Sequence, residues 1–82
     1  DLSEERRNEM KKIVKTMGEK CKVSVRNIRR EGNDELKKLL KNKQISEDEV
    51  KKYEKSIQDF TDKFIKIIDE KVISKEKDIM TI

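Results

Sequence analysis

Apolar residues recur along this chain at steps of three or four. In the first half they are Met10, Val14, Met17, Cys21, Val25, Ile28, Gly32, Leu36 and Leu39, with charged residues filling the positions between. That spacing marks one continuous amphipathic helix. It is expected from about residue 4 to about residue 41, a rod of roughly 55 Å at about 1.5 Å per residue. Ser3 is placed to cap its start, and Glu4 and Glu5 put negative charge at the positive end of the helix dipole. Gly32 weakens such a helix by roughly 1 kcal/mol relative to alanine. Its place on the apolar stripe points to close helix–helix approach, with a local bend as the alternative.

Residues 42–46 form the expected turn. Ser46-Glu47-Asp48-Glu49 is a capping box: the Ser46 hydroxyl caps, and the Glu49 carboxylate reaches back to the Ser46 N–H. Ile45 and Val50 take the two positions of a hydrophobic staple around the same cap. A second helix follows over about 47–80, with Val50, Tyr53, Ile57, Phe60, Phe64, Ile67 or Ile68, and Val72 on its stripe. Fraying is expected after Lys75. A link this short makes the two helices antiparallel neighbours. The fold class is therefore all-α, an antiparallel two-helix hairpin occupying residues 1–82 as one partial bundle domain. Ile13, Val23, Leu40, Ile65, Ile68 and Ile73 widen both stripes beyond a two-helix seam. A third helix is expected to complete the core, supplied by the rest of the natural protein or by a second copy in a homodimer, since chains this small struggle to stabilise a core alone.

Composition sharpens this picture. Charged residues make up 49% and hydrophobic ones 32%, a balance that suits solvated helices or disorder, and the periodicity decides for helices. There is no proline to interrupt them. The net charge of +4 is uneven: residues 1–41 hold 13 Lys/Arg against 8 Asp/Glu, whereas residues 42–82 hold 9 against 10. Cys21 is alone, which excludes a disulfide framework and a thiol metal cluster; its place on the apolar stripe reads as a small core residue. No apolar run approaches the roughly 20 residues that span a bilayer, and no membrane partner is expected. The chain opens on Asp-Leu-Ser without methionine and reads as a fragment.

Histidine, a Gly-rich loop and clustered thiols are all missing from the sequence, and the carboxylates fall among lysines on exposed faces. Neither an enzyme nor a cofactor site is indicated. The arginines carry the chemistry. All five lie in two places, Arg6-Arg7 and the run Val25-Arg26-Asn27-Ile28-Arg29-Arg30. At about 100° per residue, and with Lys22 as zero, Arg26 falls at about 40°, Arg29 at about 340°, Arg30 at about 80° and Asn33 at about 20°. Lys22, Arg26, Arg29, Arg30 and Asn33 thus form one polar stripe, set beside the apolar one. Arginine's rigid, always-charged fork fits phosphate oxygens, so the stripe is a candidate RNA-binding surface. The alternative is a solvated face on which Arg26 and Arg30 pair with Glu19, Glu31 or Asp34. With no aromatic residue interleaved, backbone contact with structured RNA fits better than stacking on single strands.

The order of motifs resembles that of the ribosome recycling factor family. Leu2-Ser3-Glu4-Glu5-Arg6-Arg7, Val25-Arg26-Asn27-Ile28-Arg29-Arg30, Asn33-Asp34 and Ile45-Ser46-Glu47-Asp48 follow one another collinearly, and the likeness continues through Phe64-Ile65 to Lys75-Glu76. The resemblance implies that this chain is the second and third helices of a three-helix bundle, without the first helix and without a small β/α/β domain. It implies protein biosynthesis as the setting, in a bacterial cytoplasm or an organellar matrix. Large-subunit rRNA is the implied partner, with Arg26, Arg29 and Arg30 among its contacts. Elongation factor G is the second implied partner, acting through the small domain to dissociate post-termination ribosomes. Arg6 and Arg7 match as well, near the family's hinge, where a structural role fits equally. A chain lacking the small domain is not expected to recycle ribosomes by itself.

Overall fold

The computed structural model describes residues 2–81. They form two helices, α1 (Leu2–Lys41) and α2 (Glu47–Thr81), folded back on one another as an antiparallel hairpin. The hairpin is a slender rod of 64 × 15 × 9 Å, and no strand occurs among the described residues.

The reversal is held by hydrogen bonds at both helix ends. Gln44 N–H donates to the Leu39 carbonyl at 2.9 Å and Lys43 N–H to the Leu40 carbonyl at 3.0 Å. These are the two bonds of a Schellman motif, which satisfies carbonyls left open at the end of α1. The motif needs a left-handed residue, and Lys43 supplies it at φ 60°. A non-glycine residue there costs about 1–2 kcal/mol, so the rest of the turn must outweigh it. On the other side the capping box forms as expected. Glu49 N–H donates to Ser46 Oγ at 3.2 Å, and Ser46 N–H donates to Glu49 Oε1 at 3.2 Å. Val50, at the staple position, is buried.

Contact between the helices follows a line that differs from the apolar stripes. Along α1 the spine of less exposed positions is Val14, Gly18, Lys22, Val25, Arg29, Asn33, Leu36 and Leu40. It shares Val14, Val25 and Leu36 with the apolar stripe but elsewhere steps one residue later. Along α2 the spine is Val50, Glu54, Ile57, Thr61, Ile65, Ile68, Val72, Glu76 and Ile79, again one residue later than Tyr53, Phe60 and Phe64. Each helix therefore meets its partner with one edge of a wide apolar arc. The other edge stays open: Met17 is 61% exposed, Ile28 67% and Phe60 60%. Ile13, Met10, Phe64 and Cys21 are exposed too. Cys21 is thus not a core residue, because α2 packs past it on the Lys22 side. Among the described residues the buried apolar set is small, comprising Leu36, Val50 and Ile79.

Two glycines set how closely the helices approach. A Cβ at Gly18 would stand 2.5 Å from Val72 Cγ2, and one at Gly32 would stand 3.2 Å from Ile57 Cδ1. Gly32 is therefore a close-approach residue within an unbroken helix. Thr61 is 5% exposed and spends its hydroxyl on the Ile57 carbonyl at 2.7 Å, so its polarity is satisfied locally within the seam. At the far end, α2 reaches the expected end near residue 80. It continues to Thr81, because Ile79 packs beside Ser3, Arg6, Arg7 and Met10. The same packing supports the first turn of α1, which begins at Leu2 and places Ser3 inside the helix rather than at its cap.

The glycines give a contrast that thermal melts by circular dichroism can read. Gly18→Ala meets the stiff, β-branched Val72, so overpacking of about 1–3 kcal/mol outweighs a helix gain of about 1 kcal/mol and the melting temperature falls. Gly32→Ala meets only the movable tip of Ile57 and is neutral or stabilising by up to about 1 kcal/mol. Val72→Ala in the Gly18→Ala background should restore part of the loss. Equal effects at the two glycines would refute close packing at Gly18.

Candidate nucleic-acid interface

The rotation of the seam decides where the polar stripe of α1 lies. Lys22, Arg29 and Asn33 fall on the line that faces α2, Arg26 is half-buried on its flank, and Arg30 is exposed. The stripe therefore borders the helix–helix contact directly instead of standing clear of it. The apolar centre of α1 points partly to solvent, which turns the stripe toward α2.

Two residues of α2 meet it, Asp69 and Gln58. Lys22 Nζ lies 2.8 Å from Asp69 Oδ1 across the seam and 2.9 Å from Glu19 Oε1 on its own helix. Its side chain is only 15% exposed, the stem being covered while the ammonium reaches both carboxylates. Hydrogen bonds to Asp69, then to Glu19, raise the Lys22 pKa above the ordinary lysine value. This residue's charge is thus largely offset within the hairpin.

Arg29 is treated differently. Its Nη1 donates to Gln58 Oε1 at 3.3 Å, and Gln58 Nε2 in turn donates to Asp62 Oδ1 at 2.9 Å. The partner that touches the guanidinium is a neutral amide. Among the described residues, Arg26 and Arg30 make no ion pair and no side-chain hydrogen bond; the nearby Glu19 is engaged by Lys22 instead. Asn33 turns its Oδ1 into the hairpin, where the atom is buried and meets no donor. Such an acceptor costs roughly 1–3 kcal/mol, so Asn33 presents that oxygen to nothing outside.

Arg29 also borders a cleft of about 240 Å³ lined by Val25, Ile28, Ile57, Phe60 and Phe64. Aromatic rings absent from the stripe in sequence thus come near it from α2. A second apolar cleft of about 300 Å³ follows along the same open side, lined by Val14, Met17, Cys21, Ile68 and Val72. Gln58, Asp62 and Asp69 escaped the sequence reading. The signal for them was the antiparallel register: once the turn is placed at 42–46, residues near 69 must lie opposite 22 and residues near 58–61 opposite 29. Among the described residues, no cluster of His, Cys, Asp and Glu is placed to hold a metal ion, and no helix is long and apolar enough to cross a membrane.

Comparison with known proteins returns one family. The sequence model described as "Ribosome recycling factor" matches residues 1–80. The ribosome-recycling factor of Natranaerobius thermophilus is 59% identical over 78 residues, covering 95% of this chain and 42% of that relative. That of Xylella fastidiosa is 53% identical over 81 residues, covering 99% of this chain and 44% of the relative. That of Clostridium novyi is 50% identical over 82 residues. The chain spans less than half the length of these curated relatives.

The Lys22 pairing has a pH signature. A lysine whose folded pKa is raised contributes stability that is fully present below its unfolded value and is lost as pH rises through the folded value. Melts run from about pH 9 upward, past the ordinary lysine range near 10.4, should therefore fall more steeply for the parent chain than for Lys22→Met, which keeps the packed stem. Parallel curves would show that the pairing adds nothing.

Proposed function

We propose that this chain, which belongs to the ribosome recycling factor family, binds RNA of the large ribosomal subunit through the arginine face of α1. Arg29 is the principal contact, Arg26 and Arg30 extend it along the helix, and Lys22 and Asn33 form its inner edge. One observation carries this reading. Arg26, Arg29 and Arg30 stand on one face of α1 without an ion pair, while the adjacent lysine is matched by two carboxylates. Guanidinium groups whose charge is unmatched are suited to phosphate oxygens. The contacts position the helix on an RNA backbone and read no base sequence.

In this reading the dissociation of post-termination ribosomes with elongation factor G depends on a β/α/β domain that lies outside these 82 residues. The hairpin holds a ribosome without splitting it. The open apolar side of the hairpin takes a further helix, and the three together make the bundle.

Arg29→Ala should leave helicity unchanged and weaken binding to large ribosomal subunits about tenfold or more, since a hydrogen bond to a charged group contributes about 1.5–3 kcal/mol. The slope of log affinity against log salt should become shallower by roughly 0.7–0.9. Affinity and slope both unchanged would remove the stripe as the contact surface.

The breadth of exposed apolar surface favours a second reading, a structural hairpin that self-associates without an RNA partner. Light scattering over a concentration series separates the two. A dimer that ignores ribosomal subunits supports the structural reading, and a stable monomer at all concentrations contradicts the need for any further helix.

A further inference from the structure

We infer that Gln58 and Asp62 of α2 are positioning residues for Arg29, holding its guanidinium in place while leaving its charge unmatched; the inference rests on the RNA-binding reading above.

The geometry defines a short relay. Asp62 Oδ1 accepts a hydrogen bond from Gln58 Nε2 at 2.9 Å, one helical turn away. That bond fixes which way the amide faces. With the nitrogen toward the carboxylate, Oε1 points at Arg29 Nη1, 3.3 Å away. The opposite orientation would set an oxygen against a carboxylate and an NH2 against a guanidinium, losing both bonds. Asp62 thus selects the acceptor face of Gln58, and Gln58 presents it to the arginine.

The choice of an amide matters. A guanidinium has five N–H donors, and one bond to a neutral oxygen orders the side chain while leaving the others free for an anion. A carboxylate at the same place would order it too, but would compete with phosphate for the same charge. The hairpin contains that contrast. Lys22, two turns earlier on the same line of α1, meets Asp69 and Glu19 and is matched. Asp62 reaches Arg29 only through the amide. Its negative charge steadies the relay at one remove, where a direct contact would cancel the arginine. Ordering a long side chain before binding removes part of the entropy that binding would otherwise cost.

The test compares four variants of this chain, Gln58→Leu, Gln58→Glu, Asp62→Ala and Arg29→Ala, in binding to large ribosomal subunits at fixed salt, with helicity checked for each. Gln58→Leu should weaken binding about two- to tenfold, with Asp62→Ala in the same direction. Gln58→Glu should weaken it more than Gln58→Leu, because it orders the arginine and matches its charge at once. In the Arg29→Ala background, Gln58→Leu should have no further effect. NMR of the arginine side chains, with no ribosome present, should show faster rotation of the Arg29 guanidinium in Gln58→Leu than in the parent. If Arg29→Ala weakens binding but the Gln58 variants bind like the parent, the positioning role is wrong and the RNA-binding reading stands. A Gln58→Leu loss that persists without Arg29 also overturns the role, since the glutamine would then act through the fold. If Arg29→Ala itself is silent, the RNA-binding reading fails, and the NMR result separately decides whether the relay exists.

Discussion

The line along which α1 and α2 touch governs the rest of this molecule. It runs one residue to the side of each apolar stripe for much of its length, through Gly18, Lys22, Arg29 and Asn33 on α1 and Glu54, Thr61 and Ile65 on α2. Two consequences follow from one rotation. On one side, long apolar residues such as Ile28, Phe60 and Phe64 are left facing outward around shallow clefts. On the other, cationic residues of α1 are brought against α2. Gly18 permits the arrangement, since a side chain there would collide with Val72.

A seam that accepts polar residues needs to satisfy them, and the hairpin does so unevenly. Lys22 is closed off by two carboxylates, and Thr61 is closed by its own helix. The Asn33 oxygen is left without a donor. Arg29 lies between these extremes, oriented by an amide but not matched by a charge. Partly satisfied polar groups beside a packed seam add little to stability. They do let α2 set the states of Lys22 and Arg29 separately. In this member of the ribosome recycling factor family, α2 thus matches the charge of Lys22 and leaves that of Arg29 unmatched.

The two helices, the turn over 42–46 and the capping box at Ser46 were all legible in the sequence, because each depends on neighbours within one or two turns. The same holds for the arginine stripe as a set of positions on one helix and for the close approach at Gly32. Local signals misled at the ends. Ser3 reads as a cap, yet α1 begins at Leu2, where Ser3, Arg6 and Met10 lie beside Ile79 of α2. The left-handed turn residue was hidden because Lys43 occupies a site where glycine is the usual marker.

What the sequence determined by itself, then, is the pair of amphipathic helices, their antiparallel order and the grouping of cations. Short-range periodicity and capping chemistry are sufficient for these. Which edge of each wide apolar arc is used follows from the packing of one helix on the other. That choice made Cys21 and Ile28 exposed, set Lys22 against Asp69, and joined Arg29 to Gln58 and Asp62. A helical wheel would favour the more apolar edge; the edge used instead is the one on which Gly18 of one helix meets the branched Val72 of the other, and that depends on two residues far apart in the chain.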